Sequence, residues 1–285
     1  MKVAIIGSKG QLGSDLVKVF DKSDVIPLTH DQIEVKDYTS CKKIIDLSPD
    51  VVINTAAFHK TDDCEDNPLE TFKVNAIGSK NVADVCKRIK AVYVYISTDY
   101  VFDGEKGAPY TEDDTPNPIN TYGISKLAGE HYAKLAEKYY IIRVSSLFGK
   151  AGASGKGGNF VETMIKKAKN KEKITVVDDM IMSPTYTKDA ARAIKKIIEE
   201  DLPYGIYHAS NSGFCSWYEF ARKIFELLNL DVDIKPIKTK DLTLRAKRPV
   251  FSALESKRLS KYGLKIPNWQ KALRDYLHEK GYLLA

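Results

Sequence analysis

Met1-Lys-Val-Ala-Ile-Ile-Gly7-Ser-Lys-Gly10-Gln-Leu-Gly13 opens the chain, and its reading decides the fold. Residues 2–6 are a short apolar run that ends in glycine. Leu12, Leu16, Val17, Val19 and Phe20 then recur at roughly helical spacing. The order is strand, glycine turn, helix. Glycines at 7, 10 and 13 allow a tight turn and a close approach of backbone to a pyrophosphate, and the helix N-terminus points free N–H groups at that anion. Gly7, Lys9, Gly10, Gln11, Leu12 and Gly13 are therefore the candidate dinucleotide cradle. The apolar run is too short for a signal peptide, and the glycines follow it at once.

Outward from this turn the pattern repeats. Val25–Leu28 reads as a second strand, 51–57 as an unbroken apolar strand, 69–90 as a long helix and 91–97 as another strand. Residues 122–139 read as a second long helix and 140–145 as a strand. This alternation predicts an α/β fold, a doubly wound parallel Rossmann sheet with helices on both faces. After Gly149 the composition changes. Residues 150–158 are a glycine-rich loop. Helix at 159–169, strand at Ile174–Val177, helix at 186–199, strand at 205–210 and an amphipathic helix at 217–228 follow, then a tail punctuated by Pro236, Pro249 and Pro267. We expect a dinucleotide-binding unit over 1–148, to which segments near 184–210 return, and a smaller α/β C-terminal substrate lobe over 149–285.

Composition bounds the rest. The chain has 285 residues, 43% hydrophobic and 29% charged, and no apolar run of membrane-span length. A net charge of +6 is spread over the chain, which fits attraction of an anionic ligand and gives no reason to expect nucleic acid. Cys41, Cys64, Cys86 and Cys215 form no Cys-x-x-Cys pair and no zinc spacing, so reduced thiols and no metal site are expected, with metal dependence open; the N-terminal run, read as a strand, places the protein in the cytoplasm. Oligomeric state is open between monomer and homodimer.

The candidate chemistry lies in Ser97-Thr98-Asp99-Tyr100 and Tyr122-Gly-Ile-Ser-Lys126. Tyr122 and Lys126 are four apart and share a helix face. Reduction of a carbonyl by hydride leaves an alkoxide that needs a proton. A tyrosine can give it, although its ordinary pKa of about 10 asks for roughly 4 kcal/mol of preferential phenolate stabilisation to reach neutrality. A neighbouring ammonium and an oxidised nicotinamide can supply this. Lys126 can also grip the nicotinamide ribose, and the Thr98 hydroxyl, at a strand end, can bond the substrate oxygen. At the end of the second strand, Thr29 and His30 stand where an acid usually holds the NAD ribose, with Asp31 one step late. Without a carboxylate a 2′-phosphate is not repelled and Lys9 can reach it. NADPH is the expected cofactor, with NADH possible; Asp31 in a plain surface turn is the other reading.

With these motifs the chain closely resembles the dTDP-4-dehydrorhamnose reductases, a branch of the extended short-chain dehydrogenases/reductases. The resemblance rests on Gly-x-x-Gly-Gln-Leu-Gly, Ser97-Thr-Asp-Tyr-Val-Phe-Asp-Gly104, Tyr122-Gly-Ile-Ser-Lys-Leu-Ala-Gly-Glu130, Asn159-Phe160, Ser183-Pro-Thr-Tyr186, Trp217-Tyr-Glu-Phe-Ala221 and Arg248-Pro-x-x-Ser252. It implies reduction of a nucleotide-linked 4-keto-6-deoxysugar to the rhamnosyl form, with Thr98, Tyr122 and Lys126 catalytic. It also implies that Ala56 and Ala57 lie along the cofactor and that His59, Thr61 and Tyr100 face the sugar. Asn75 matches a helix asparagine of the superfamily, in the cofactor set or as a tie between helix and strand. One departure concerns the sugar: Ser146 stands where many relatives carry a tryptophan.

Two other functions compete. An epimerase would retain its cofactor through turnover. A regulatory subunit, like the beta subunit of methionine adenosyltransferase, would bind a partner enzyme and consume no hydride. A dehydratase is disfavoured, because Asp99-Tyr100 stands where such enzymes place an Asp-Glu pair.

Overall fold

In the computed structural model, which describes residues 1–152 and 158–283, six parallel strands carry the fold. They are β1 (Val3–Ile6), β2 (Val25–Leu28), β3 (Val51–Asn54), β4 (Val92–Thr98), β5 (Tyr139–Val144) and β6 (Gly205–His208). Their spatial order is β2-β1-β3-β4-β5-β6. β1 pairs with β2 on one side and β3 on the other, so the order reverses there. Ligands of open α/β sheets bind beyond the strand C-termini at such a switch point. The sheet is doubly wound, as expected.

Every residue of β1 and β3 is buried, which a sheet covered on both faces requires. Val3, Ile5, Val94 and Ile96 face α1 (Gln11–Val19) and the later helix 187–199. Ala4, Ile6, Tyr93 and Tyr95 face the opposite core, built with α2 (Gly78–Ile89). β2 is the edge strand, and Pro27, which has no N–H to donate, is exposed there. β6 completes the sheet beside β5, bringing a late segment back to the first half of the chain.

The later chain has its own core, in which Phe148, Val161, Met164, Phe220, Ile224, Trp269 and Tyr276 pack together. It is framed by α4 (Phe160–Lys169), α6 (Trp217–Leu227) and α7 (Trp269–Glu279), with α3 (Thr121–Ala133) and α5 (Thr187–Glu199) completing the main helices. The two-stranded pairs Ile174–Val177 with Ile234–Ile237 and Ile181–Met182 with Cys215–Ser216 belong to the later chain. All four cysteines are buried, and none is in a disulfide.

Three sequence expectations are corrected. The strand expected over 51–57 ends at Asn54, because the Asn54 carboxamide accepts from the Ala56 backbone N–H (3.0 Å) and turns the chain out of the ladder. The helix expected over 69–90 is three pieces: Pro68–Phe72, a π-turn at Lys73–Ile77, and α2. The π-turn holds Asn75, whose backbone carbonyl accepts from the Tyr95 hydroxyl (2.9 Å), an intrusion of the kind that displaces a helical ladder. The helix expected over 122–139 stops at Ala133, followed by a 3-10 turn, and Glu137 takes a positive φ of 69° that a helix cannot continue. Of the loop expected over 150–158, residues 153–157 lie outside the described residues.

Candidate active site

The strand C-termini open onto a cleft of about 1020 Å³. At its floor, Gly7 leaves β1 with φ +78°, a conformation that disfavours other L-residues, and a Cβ there would stand 2.5 Å from the Thr55 hydroxyl oxygen. Thr55 holds this turn by donating to the Ile6 carbonyl (2.8 Å). Gly13 lies in the first turn of α1, and a Cβ on it would overlap the Gly7 carbonyl, so the helix packs on the turn only with glycine there. The first turn of α1 carries no acidic side chain. Its unpaired N–H groups and the bare Gly10 backbone suit a pyrophosphate, and the cleft is roomy enough for a dinucleotide.

Most sequence-predicted residues meet here. Gly7, Lys9, Gly10, Gln11, Leu12, Thr29, Ala56, Ala57, His59, Thr61, Thr98, Tyr100, Tyr122 and Lys126 all line the cleft. Gly13 and Asn75 do not. Asn75 is fully buried behind the wall and takes the tying role: its side chain accepts from the Phe58 N–H (2.8 Å) and donates to the Phe58 carbonyl (2.9 Å) and the Ser125 hydroxyl (2.9 Å). It fixes the loop carrying Ala57 and His59 against the helix carrying Tyr122.

At the end of β2 the Thr29 N–H and hydroxyl both donate to the Gln32 side-chain oxygen (2.9 and 3.1 Å). Sequence reading missed Glu34, whose carboxylate lines the cleft between His30 (3.6 Å) and Lys36 (3.8 Å). It gave no site role to Phe58, Asn159, Phe160, Thr163 and Trp217, which line the cleft too. Phe160 and Trp217 are each the first residue of a helix, behind the N-caps Asn159 and Ser216, and their rings meet at 4.6 Å. Ser146 lines the cleft at φ 44°.

Tyr122 enters the cleft from the start of α3. The Asn120 side chain caps that helix by accepting from the Gly123 N–H (2.8 Å), and the Thr121 hydroxyl donates to Glu65 (2.6 Å). Tyr122 meets the Tyr100 ring edge-on at 5.9 Å and is hydrogen-bonded to Thr98, the last residue of β4. Burial pushes the Tyr122 hydroxyl well above its ordinary value, with the Thr98 hydrogen bond opposing. Burial therefore outweighs the protein's own groups at Tyr122, and the expected lowering calls on Lys126 together with an oxidised nicotinamide. Lys126 explains part of this. Its Nζ donates to the Ile96 carbonyl (2.6 Å) and stands 4.1 Å from the Tyr95 ring centre.

Desolvation lowers the Lys126 ammonium from 10.5 to about 7, against the pull of Glu130. Between about 7 and 10.5 the unfolded chain then holds a proton that the folded chain lacks, so stability rises with pH through this window. Relative to Lys126→Met, the native chain is expected to gain stability between pH 6 and 9, by at most about 1.4 kcal/mol per pH unit. Denaturant midpoints of both proteins at several pH values check this; a constant difference would show that Lys126 stays charged.

Comparisons with known proteins identify the family. The family model described as RmlD substrate binding domain matches residues 1–281. The spore coat polysaccharide biosynthesis protein SpsK of Bacillus subtilis is 41% identical, with 98% of each chain covered. The dTDP-4-dehydrorhamnose reductase of Aggregatibacter actinomycetemcomitans is 35% identical over 96% of this chain and 97% of its own. The crystal structure of dTDP-4-dehydrorhamnose reductase from Bacillus anthracis in complex with NADP superposes with a TM-score of 0.92 at 39% identity, covering 98% of this chain and all of that one. The chain belongs to the RmlD substrate binding domain family, the dTDP-4-dehydrorhamnose reductases of the extended short-chain dehydrogenase/reductase superfamily.

Proposed function

We propose that the chain reduces the 4-keto group of dTDP-4-dehydrorhamnose to give dTDP-L-rhamnose, with NADPH as reductant. The observation that carries this reading is the meeting of the glycine turn with Thr98, Tyr122 and Lys126 in one cleft. The family supports the coarser statement, an NAD(P)H-dependent reductase of a nucleotide-sugar ketone; SpsK, whose name specifies no sugar, supports nothing finer.

When bound, the cofactor supplies hydride to the keto carbon. The Gly7–Gly13 turn would hold its pyrophosphate, the Thr29 region its adenosine ribose, and Ala56 and Ala57 its length. Lys126 would reach its nicotinamide ribose. Tyr122 would give its hydroxyl proton to the oxygen that becomes the 4-hydroxyl. His59, Thr61 and Tyr100 would face the sugar. We assign cofactor binding to 1–148 and substrate binding mainly to 149–285, and we place the protein in the cytoplasm. Among the described residues no helix is long and apolar enough to cross a membrane.

The test is NADPH oxidation, followed by absorbance, with dTDP-4-dehydrorhamnose supplied. Steady oxidation is the expected result. Tight NADPH binding without turnover on this sugar, but with turnover on another nucleotide-linked 4-ketose, would overturn the sugar assignment. No turnover on any such ketone would overturn the reductase reading.

A further inference from the structure

Tyr122 is the second residue of α3. The first turn of a helix is the part its own hydrogen bonds hold least, because the first four N–H groups have no partner within it. Lys126 lies a full turn further in. The place of Tyr122 in the cleft therefore depends on what holds residues 120–123 from outside.

Three contacts do so. Glu65, on the short helix Thr61–Asp66, accepts from the Thr121 N–H (2.8 Å) and hydroxyl (2.6 Å). Gly123 lies so close to Tyr100 that a Cβ on it would stand 2.0 Å from the Tyr100 carbonyl oxygen. Asn120, 4% exposed, works in two directions. Its Oδ1 accepts from the Gly123 N–H (2.8 Å), and its Nδ2 donates to the distant Lys247 carbonyl (2.8 Å). An N–H can only donate and a carbonyl can only accept, so the two contacts fix the orientation of the carboxamide and use both its ends.

Lys247 belongs to a strap, residues 245–248, that is fastened to the same short helix. Asp62 accepts from the Ala246 N–H (3.0 Å) and pairs with Arg248 (3.2 Å). Arg245 reaches Asp63 (3.4 Å) and Asp66 (3.0 Å), but these pairs are half-exposed and hold weakly. The short helix begins with Thr61, at the cleft. The contacts close a ring: Glu65 joins the short helix to α3, Asp62 joins it to the strap, and Asn120 joins the strap back to α3.

We propose that Asn120 is a positioning residue: by tying the start of α3 to the Lys247 carbonyl, it sets the Tyr122 hydroxyl against the substrate side of the cleft. This rests on the reading of Tyr122 as proton donor. Capping alone needs only Oδ1, and Ser, Thr or Asp would serve as well. The contact with Lys247 needs an amine, which among these caps asparagine alone supplies.

Two variants test this in the whole chain. Asn120→Ser keeps a cap and has no amine. Amide hydrogen exchange needs no sugar, and in this variant it should quicken about tenfold both at 123–126 and at Ala246, the strap amide bonded to Asp62. Quickening at the helix start alone, or at neither place, overturns the proposal.

Asn120→Asp separates the tie from the cap by pH. While protonated, the new carboxyl accepts from the Gly123 N–H and donates to the Lys247 carbonyl, as the carboxamide does. Once ionised it still caps but has no proton to give. The charged groups brought beside it are Glu65, bonded to the neighbouring Thr121, and Lys247 and Arg248 on the strap, the latter paired with Asp62. Tyr122 is raised by burial and keeps its proton throughout. Relative to the native chain at each pH, kcat should be near native in acid and fall about tenfold as the carboxyl ionises, with NADPH affinity unchanged. A role confined to capping predicts the reverse, because an ionised carboxylate is the better cap. That reverse trend, or a flat ratio, overturns the proposal. If Asn120→Asp does not fold, Asn120→Ser replaces it and should show the tenfold loss at every pH, with native turnover overturning the proposal. A native chain that reduces no nucleotide-linked ketose, while Asn120→Ser loosens at both places, would sink the reductase reading and leave the tie standing.

Discussion

Replacing Tyr122 by Phe is expected to lower turnover by about 10²- to 10⁴-fold, the range for loss of a positioned general acid. NADPH affinity should stay within about twofold of the native value. The geometry makes this a clean substitution. Phe keeps the ring and its edge contact with Tyr100, and Asn120 and Glu65 hold the helix start independently of the hydroxyl. What is lost is the phenolic O–H and its hydrogen bond to Thr98. Steady-state NADPH oxidation gives the first number and a fluorescence titration of NADPH the second. Retained turnover would mean that another group delivers the proton. Loss of both turnover and cofactor affinity would mean that the substitution disturbed the cleft rather than its chemistry.

The parts of this site that were legible in the sequence are those built from local pattern. The glycine spacing between β1 and α1 needs only neighbours to be understood, since Gly7 and Gly13 answer to one turn. Tyr122 and Lys126 share a face because a helix puts residues four apart together. The end of β4 delivers Thr98 because the strand is an unbroken apolar run. What was not legible depends on distant contacts. Nothing near Asn75 in the chain says that Tyr95 and Phe58 will claim its backbone and side chain and turn a helix into a π-turn. Lys126 points at the Ile96 carbonyl because it is almost fully buried, which four-residue spacing does not reveal. Phe160 and Trp217 follow recognisable caps, Asn-x-x-Glu162 and Ser-x-x-Glu219, so their helices could be started correctly. That both first residues face one cleft is set by packing in the later core. Glu34 escaped because the acid was sought at the end of β2, and the loop beyond it folds back to the cleft.

The largest effect on stability is expected at Glu130. This residue lies one helical turn beyond Lys126 on α3, and its carboxylate is 2% exposed. Oε1 accepts from the Ser97 hydroxyl (2.6 Å) and the Arg143 Nε (2.9 Å), and Oε2 accepts from Arg143 Nη2 (2.8 Å). Arg143 is 1% exposed, and its guanidinium lies 5.1 Å from the Phe102 ring centre. The pair thus clamps α3 to β4 and β5, with Ser97 next to Thr98 in the grip. Two buried charges gain little over a well-packed apolar pair, but removing one strands the other in a low dielectric. Glu130→Leu should therefore cost about 3–5 kcal/mol in a denaturant titration. The double variant Glu130→Leu/Arg143→Leu should recover a large part of that loss, because no charge is left unpaired. A single-variant cost below about 1 kcal/mol would mean that water or another group reaches Arg143. The substitution also bears on the site. Glu130 pulls the Lys126 ammonium upward, so its removal should drive Lys126 further below its ordinary value and leave it neutral at lower pH. The double variant separates the two consequences: stability should return with it, while Lys126 should stay lowered, since burial lowers it and the Glu130 charge that opposed this is still gone.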